Sequence, residues 1–221
     1  SVHNAPAGQL AIMLKATGAN ITTTGGDTSF EQALLAASLT ASDSDDIVLV
    51  MGADEHHQIL SPLLDKSVQI SSNPSDGGGA LILRKTEKAS GLRITLIFFE
   101  NSSNNPSIVQ SLVHNLGGPE EIRSRYGAVL AGMPTREQAN PEKQVSEYIS
   151  AADFNGPVID FRKFTGEFGA ATAAAAALAT RFVRSGKVPG YLSGSAETPL
   201  NGKGILLLGL GRFLTAIEVL T

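Results

Sequence analysis

The chain has 221 residues, of which 42% are apolar and 17% charged, a balance that can bury the core of one large globular domain. Its net charge is −4 and it has no run of Lys or Arg, which argues against a nucleic-acid partner. It has no cysteine, which excludes disulfides, thiolate metal sites and a cysteine nucleophile. No apolar run reaches the length of a membrane span, so we expect a cytoplasmic protein.

The first segments alternate between helix and strand patterns. Leu10–Lys15 predicts a short helix, and the β-branched stretch Asn20–Gly26 predicts a strand that ends in paired glycines. A helix is predicted to start at Asp27, where an N-cap is the commonest role of an aspartate. Ile47–Met51 is a continuous apolar run typical of a buried strand, and the polar residues 54–74 predict a loop. The helix after Asp27 is expected to place three leucines on one face: Leu34, Leu35 and Leu39.

Two further strands precede a clear loop. Asp76–Arg84 gives a glycine-rich entry into an apolar strand, and Leu92–Phe99 predicts another. Asn101–Pro106 is the best internal boundary. We therefore predict an N-terminal half over residues 1–100 and a C-terminal half over residues 101–221, packed as one compact unit.

The second half repeats the order of elements of the first. Helices are predicted over Ile108–Leu116, Glu142–Ser150 and Gly169–Arg184. Strands are predicted over Ala128–Ala131, Val158–Phe161, Gly204–Leu208 and Thr215–Leu220. Such a repeated order indicates a duplicated α/β unit.

Several segments, taken in chain order, resemble the motifs of one known enzyme family. The first is Asn4–Met13 with Gly18, followed by Ile21–Ser29. The later similar segments are Ile47–Glu55, Asp76–Leu83, Arg162–Glu167 with Gly169–Ala171, Lys187–Pro189 and Leu208–Gly211. The family that they resemble is that of the elongating β-ketoacyl synthases of the thiolase superfamily, in which the first of these segments leads up to and across the catalytic cysteine. The resemblance implies an α/β fold, the thiolase-like layered αβαβα arrangement. In that family a strand, a helix and a second strand precede the position of Ser1, so we expect the first half to be truncated at its N-terminus.

The catalytic positions of that family carry other residues here. By the resemblance, Asp27 stands at the cysteine, Gly132 at the first histidine, Glu167 at the second histidine and Arg162 at the lysine. Condensation needs a thiolate to hold the acyl chain and two imidazoles to assist malonyl decarboxylation and stabilise the enolate. A carboxylate at Asp27 cannot form a thioester, and one at Glu167 would repel a developing enolate.

The resemblance therefore implies a non-catalytic subunit of the chain-length-factor type. Such a subunit forms a heterodimer with an active ketosynthase in fatty-acid or polyketide biosynthesis, and the complex handles groups carried on acyl-carrier protein. The stretch Ser1–Gly8 looks closest to the aryl-polyene type. No cofactor and no metal are expected. The family dimer pairs through the strand before the nucleophile, which here offers Ile21, Thr22, Thr23 and Thr24.

Other interpretations stay open on the residues alone. The chain is alternatively a malonyl-carrier decarboxylase or another acyl-group enzyme that uses Asp27 or Glu167, or a homodimeric scaffold without acyl contact. Arg162 and Glu167 are candidates for an ion pair. The run Asp54–His57 holds metal-ligand residue types, but adjacent side chains on a strand point apart, which favours a solvated loop.

Overall fold

The computed structural model describes residues 4–43, 46–59, 61, 63, 73–86, 91–135, 140–194 and 196–221. Of the predicted loop over residues 54–74, residues 60, 62 and 64–72 lie outside this set. The helices are α1 (Ala5–Leu14), α2 (Ser29–Thr40), α3 (Ile108–Asn115), α4 (Pro119–Arg125), α5 (Pro141–Ala151), α6 (Arg162–Thr165), α7 (Ala171–Ser185) and α8 (Gly190–Ser193). The strands are β1 (Ile47–Asp54), β2 (Gly77–Arg84), β3 (Arg93–Asn101), β4 (Tyr126–Gly132), β5 (Val158–Asp160), β6 (Lys187–Val188), β7 (Thr198–Pro199), β8 (Gly204–Gly209) and β9 (Phe213–Leu220).

Strands β1 and β2 form a small antiparallel sheet that packs closely on the alanine-rich helix α7. Their register pairs Ile47 with Arg84 at one end and Asp54 with Gly77 at the other. A Cβ at Gly79 would lie only 2.3 Å from the carbonyl oxygen of Ala173 in α7. Glycine on the strand and alanine on the helix therefore allow backbone to approach backbone.

The larger sheet has five strands in the order β3-β9-β8-β4-β5. Strand β4 runs parallel to both β5 and β8, whereas β9 runs antiparallel to β8 and to β3. Because β4, β5 and β8 point the same way, their carboxyl ends meet at one edge of the sheet. Gly132, Asp160 and Gly209 end these three strands.

The elements stack in layers around two apolar cores. Helices α2 and α7 lie between the small sheet and the large sheet, and the first core is built from their side chains and the inner faces of both sheets. Helices α3 and α5 cover the opposite face of the large sheet and form the second core with it. This mixed α/β layering confirms the predicted fold class.

Three predictions for residues 20–54 are wrong in part. Asn20–Gly26 is not a strand, since no strand among the described residues pairs with it. Leu34 is buried, but Leu35 and Leu39 are 43% and 76% exposed, because a helix turns about 100° per residue and these two lie together on another face. Strand β1 forms as predicted, but it is largely accessible, and Val50 is its one buried residue.

Two further differences concern a helix that was not predicted and a strand that crosses the predicted division of the chain. Helix α4 was not predicted, although Pro119 at its first position and Glu120 and Glu121 in its first turn are ordinary helix-start signals. Strand β3 pairs with β9 and so belongs to the large sheet, and it runs across the boundary predicted between residues 100 and 101. The division of the chain at that boundary stays a prediction.

Candidate functional site

A buried ion pair lies at the start of α2. The Nη2 of Arg162 donates to Oδ1 of Asp27 at 2.7 Å, and the two side chains are only 4% and 18% exposed. Arg162 also donates through Nη1 to the carbonyl oxygen of Phe168 at 3.2 Å. The N-cap of α2 is Thr28, so Asp27 is not the predicted N-cap but the anionic partner of Arg162. The predicted pair of Arg162 with Glu167 is wrong for the same reason.

The edge of the large sheet positions Arg162. Its backbone N–H donates to Oδ1 of Asp160, the last residue of β5, at 3.1 Å. Burial raises the pKa of Asp160, and hydrogen bonds from the backbone of Arg162 and Met133 oppose that shift. The guanidinium is thus held at the point where a parallel strand ends and a short helix begins, the usual place for sites in such sheets.

The turn Gly26–Thr28 is tied to both β1 and α7. Asp54, at the end of β1, accepts a hydrogen bond from the backbone N–H of Gly169 at 2.8 Å. A Cβ at Gly169 would lie 3.0 Å from that carboxylate and 3.2 Å from the carbonyl oxygen of Gly26. Ser29 donates from its hydroxyl to the same carbonyl at 2.7 Å. The conformation of the Asp27 turn is therefore set by close packing on three sides.

Glu167 lies apart from this ion pair. Its carboxylate accepts from the hydroxyl of Thr135 at 2.5 Å and from the backbone N–H of Thr135 at 3.3 Å. Its backbone N–H donates to the carbonyl oxygen of Asn73 at 2.8 Å. Glu167 is buried and holds the segment after β4 against the segment before β2.

Gly132 ends β4 beside the aromatic ring of Phe161. A Cβ at this position would lie 2.6 Å from the ring. An imidazole therefore does not fit at Gly132 while Phe161 keeps its place. Phe161 directly precedes Arg162, so the four predicted positions occupy one end of the large sheet, although only Asp27 and Arg162 pair with each other.

Glu31 is the residue that the sequence reasoning missed. It lies on α2 one turn after Asp27, is fully buried, and its Oε1 accepts from the hydroxyl of Thr215 on β9 at 3.2 Å. Burial raises the pKa of Glu31 to about 7, against the opposing effects of its own backbone N–H, the hydroxyls of Thr172 and Thr215, and the charge of Arg162. A signal was available, because Glu31 lies one turn before Leu34 on the buried face of α2.

The described residues contain neither a cluster of metal-ligand side chains nor a helix that could span a membrane. Within them, no three His, Cys, Asp or Glu side chains are grouped so that they could share a metal ion. In the run considered above, the carboxylate of Asp54 accepts from the backbone N–H of Gly169, and the backbone N–H of His56 donates to the carboxylate of Asp76. No helix in the described part of the chain is long and apolar enough to cross a bilayer.

Comparisons with known proteins point to the ketosynthases. The family profile described as "Beta-ketoacyl synthase, N-terminal domain" matches residues 1–90. A β-ketoacyl synthase from Burkholderia phymatum STM815 is similar in structure, with a TM-score of 0.72 and 13% identity over 98% of this chain and 65% of that one. No curated protein sequence gives a significant match.

Two other solved structures are similar to this chain. One is a type II polyketide synthase acyl-carrier protein in complex with its ketosynthase bound to a hexaketide, with a TM-score of 0.64 and 14% identity over 97% of this chain and 63% of that one. The other is the ishigamide ketosynthase/chain length factor, with a TM-score of 0.58 and 16% identity over 98% of this chain and 61% of that one. In each of the three matches this chain spans less than two thirds of the other. The chain therefore has a thiolase-like ketosynthase fold, and its N-terminal segment matches the family profile.

Proposed function

We propose that this protein is a non-catalytic, chain-length-factor-like subunit that pairs with an active β-ketoacyl-carrier-protein synthase. The observation that carries the proposal is the buried pair of Asp27 and Arg162 at the start of α2. The resemblance places the catalytic nucleophile of ketosynthases at this turn, and here a carboxylate is held by a guanidinium. The chain has no cysteine anywhere that could take over the role.

The contacts of the two candidate carboxylates argue for structural roles. A carboxylate paired with Arg162 cannot hold an acyl chain as a thioester. The carboxylate of Glu167 accepts a hydrogen bond from the hydroxyl of Thr135. Carboxylates at both positions would also oppose the negative charge that develops on an enolate. This supports a subunit that contributes side chains to the acyl tunnel of its partner rather than one that condenses acyl groups itself.

An apolar groove of about 310 Å³ offers a surface for such a partner. It lies between α1, α2, the segment before the Asp27 turn and β1, and its lining includes Leu14, Ile21, Ala36, Ile47 and Leu49. Leu14, Ile21 and Ile47 are all more than half exposed in the isolated chain. Exposed apolar patches of this kind are typical of surfaces that another protein covers.

The segment Ile21–Thr24 begins at the groove, which Ile21 lines, and it carries no charged side chain. Its lack of a strand partner within the described chain leaves backbone groups available for a strand of another subunit. We therefore propose Ile21, Thr22, Thr23 and Thr24 as the pairing strand of a heterodimer. The substrates of the complex would be acyl and malonyl groups on acyl-carrier protein, in fatty-acid or polyketide synthesis of the aryl-polyene kind.

Co-expression with a ketosynthase from the same gene neighbourhood is expected to give a stable one-to-one heterodimer. Native mass spectrometry of the purified complex measures its stoichiometry. Leu14→Lys and Ile21→Lys are expected to weaken the complex at least tenfold each, because each buries a charge in an apolar contact. Titration by light scattering or calorimetry gives the dissociation constants.

Tyr191→Lys is the matched control, because Tyr191 is a large and exposed side chain on α8, away from the groove. Its complex is expected to keep the wild-type dissociation constant. A soluble homodimer that ignores the ketosynthase would contradict the proposal and favour the scaffold interpretation. Release of CO₂ from malonyl-carrier protein by the chain alone, lost in Asp27→Ala, would instead favour a decarboxylase.

A further inference from the structure

A second buried carboxyl group lies beside the ion pair of Asp27 and Arg162. Glu31 is fully buried and its Oε2 has no hydrogen-bond partner. The Nε of Arg162, also buried, has no partner either. A buried polar atom without a partner destabilises a fold, so two such atoms in one site call for an explanation.

The guanidinium of Arg162 therefore has one nitrogen, Nε, without a hydrogen-bond partner. Asp27 and the carbonyl oxygen of Phe168 occupy its two Nη atoms, and Nε remains. The charge of Arg162 acts on Glu31 across the interior of the site. We infer that Glu31, once it has lost its proton, takes the Nε of Arg162 as its partner, so that the guanidinium that also holds the Asp27 turn responds to pH.

Of the charged side chains around Glu31, Arg162 is the cation that acts on its carboxyl group. From β9, Thr215 faces Glu31, whereas Glu218 lies on the opposite side of that strand and accepts from Arg125 and Tyr126. From α7, Thr172 is the facing residue, and the arginines of that helix lie in its last turns. On β1, the carboxylate of Asp54 is held by the backbone N–H of Gly169. From β8, the facing residue is Gly209, which has no side chain.

The direction of the effect follows from proton linkage. The pKa of Glu31 is about 7 in the folded chain and near its ordinary value of 4.5 when unfolded. A raised pKa gives stability that is fully present below about pH 4.5 and is lost as the pH rises through about 7. The folding equilibrium constant is thus expected to fall about 300-fold over this window. Above pH 7 a buried anionic Glu31 needs the free Nε of Arg162.

This inference deepens the proposed function, on which its regulatory meaning rests, because the Asp27 turn continues directly from Ile21–Thr24. Its test is independent of any partner. The side-chain Nε–H resonance of Arg162 and the carboxyl carbon of Glu31 are followed by NMR in the full chain from pH 4 to 9. Both signals are expected to titrate together with a midpoint near 7.

Glu31→Gln is expected to remove the Arg162 titration and to abolish the roughly 70-fold fall in the folding equilibrium constant between pH 5 and pH 8, measured by urea denaturation. Glu142→Gln, which changes an exposed glutamate in α5, should keep the wild-type pH profile. If Glu31→Gln does not fold, Thr215→Val should raise the midpoint, because it removes a hydroxyl that stabilises the carboxylate. A Glu31 midpoint near 4.5, or an Arg162 signal that ignores it, overturns the inference, whether or not a heterodimer forms.

Discussion

Replacing Gly79 by alanine is expected to lower the free energy of unfolding by about 3–5 kcal/mol. The added Cβ would lie 2.3 Å from the carbonyl oxygen and 2.4 Å from the carbonyl carbon of Ala173, and 2.7 Å from the backbone nitrogen of Ala174. These are backbone atoms of a helix packed between two sheets, so no side-chain rotation can relieve the overlap. Helix α7 or β2 must move, and the packing of Gly52 against Ala173 would be lost with it.

Gly8→Ala provides the control for this substitution. Gly8 lies inside α1, and no atom would come within 4 Å of its Cβ. Alanine is the better helix former, so this variant is expected to be neutral or more stable by up to about 1 kcal/mol. Urea denaturation followed by circular dichroism compares the two variants. Equal unfolding free energies would mean that α7 does not pack on β2 as described.

Replacing Arg162 by methionine is expected to destabilise the chain by about 3–5 kcal/mol. Methionine keeps most of the side-chain volume but removes the hydrogen bonds that Arg162 donates to the carboxylate of Asp27 and to the carbonyl oxygen of Phe168. Removing one partner of a buried pair costs more than removing both. The double variant Asp27→Asn with Arg162→Met is therefore expected to be more stable than Arg162→Met alone.

A double-mutant cycle on Asp27 and Arg162 measures their coupling from four denaturation curves. Lys163→Met serves as the neighbouring control, because Lys163 is exposed and its loss should change stability by less than about 0.5 kcal/mol. Additive effects of the two site substitutions would show that the ion pair does not hold the turn in solution.

Hydrophobic periodicity predicted most of the elements because it reports local burial. The strands at Ile47–Asp54 and Gly204–Gly209 and the helix Ala171–Ser185 were all placed by it. The pattern failed where strand formation depends on a partner strand elsewhere in the chain. Asn20–Gly26 has a β-rich composition, but a strand also needs a partner, and the described chain gives it none.

The candidate site shows a similar limit. The sequence motifs placed Asp27, Arg162, Gly132 and Glu167 near one another, and the structure puts them at one end of the large sheet. The choice of Asp27 over Glu167 as the partner of Arg162 depends on side-chain direction after Gly166, where the chain adopts a φ of 78°. The spacing of Glu31 from Leu34 indicates the buried face of α2, but no local pattern reports the contact of Glu31 with Thr215 on β9, which is far away in the sequence.

The position of α7 between the two sheets has a consequence for how the protein is made. Strands β1 and β2 leave the ribosome well before α7, the helix that covers their inner face, has been synthesised. Contacts between segments so distant in sequence slow folding, and the waiting apolar strands are exposed to aggregation in the meantime. The early part of the chain therefore depends on its late part, or on a chaperone, for the whole time of its synthesis.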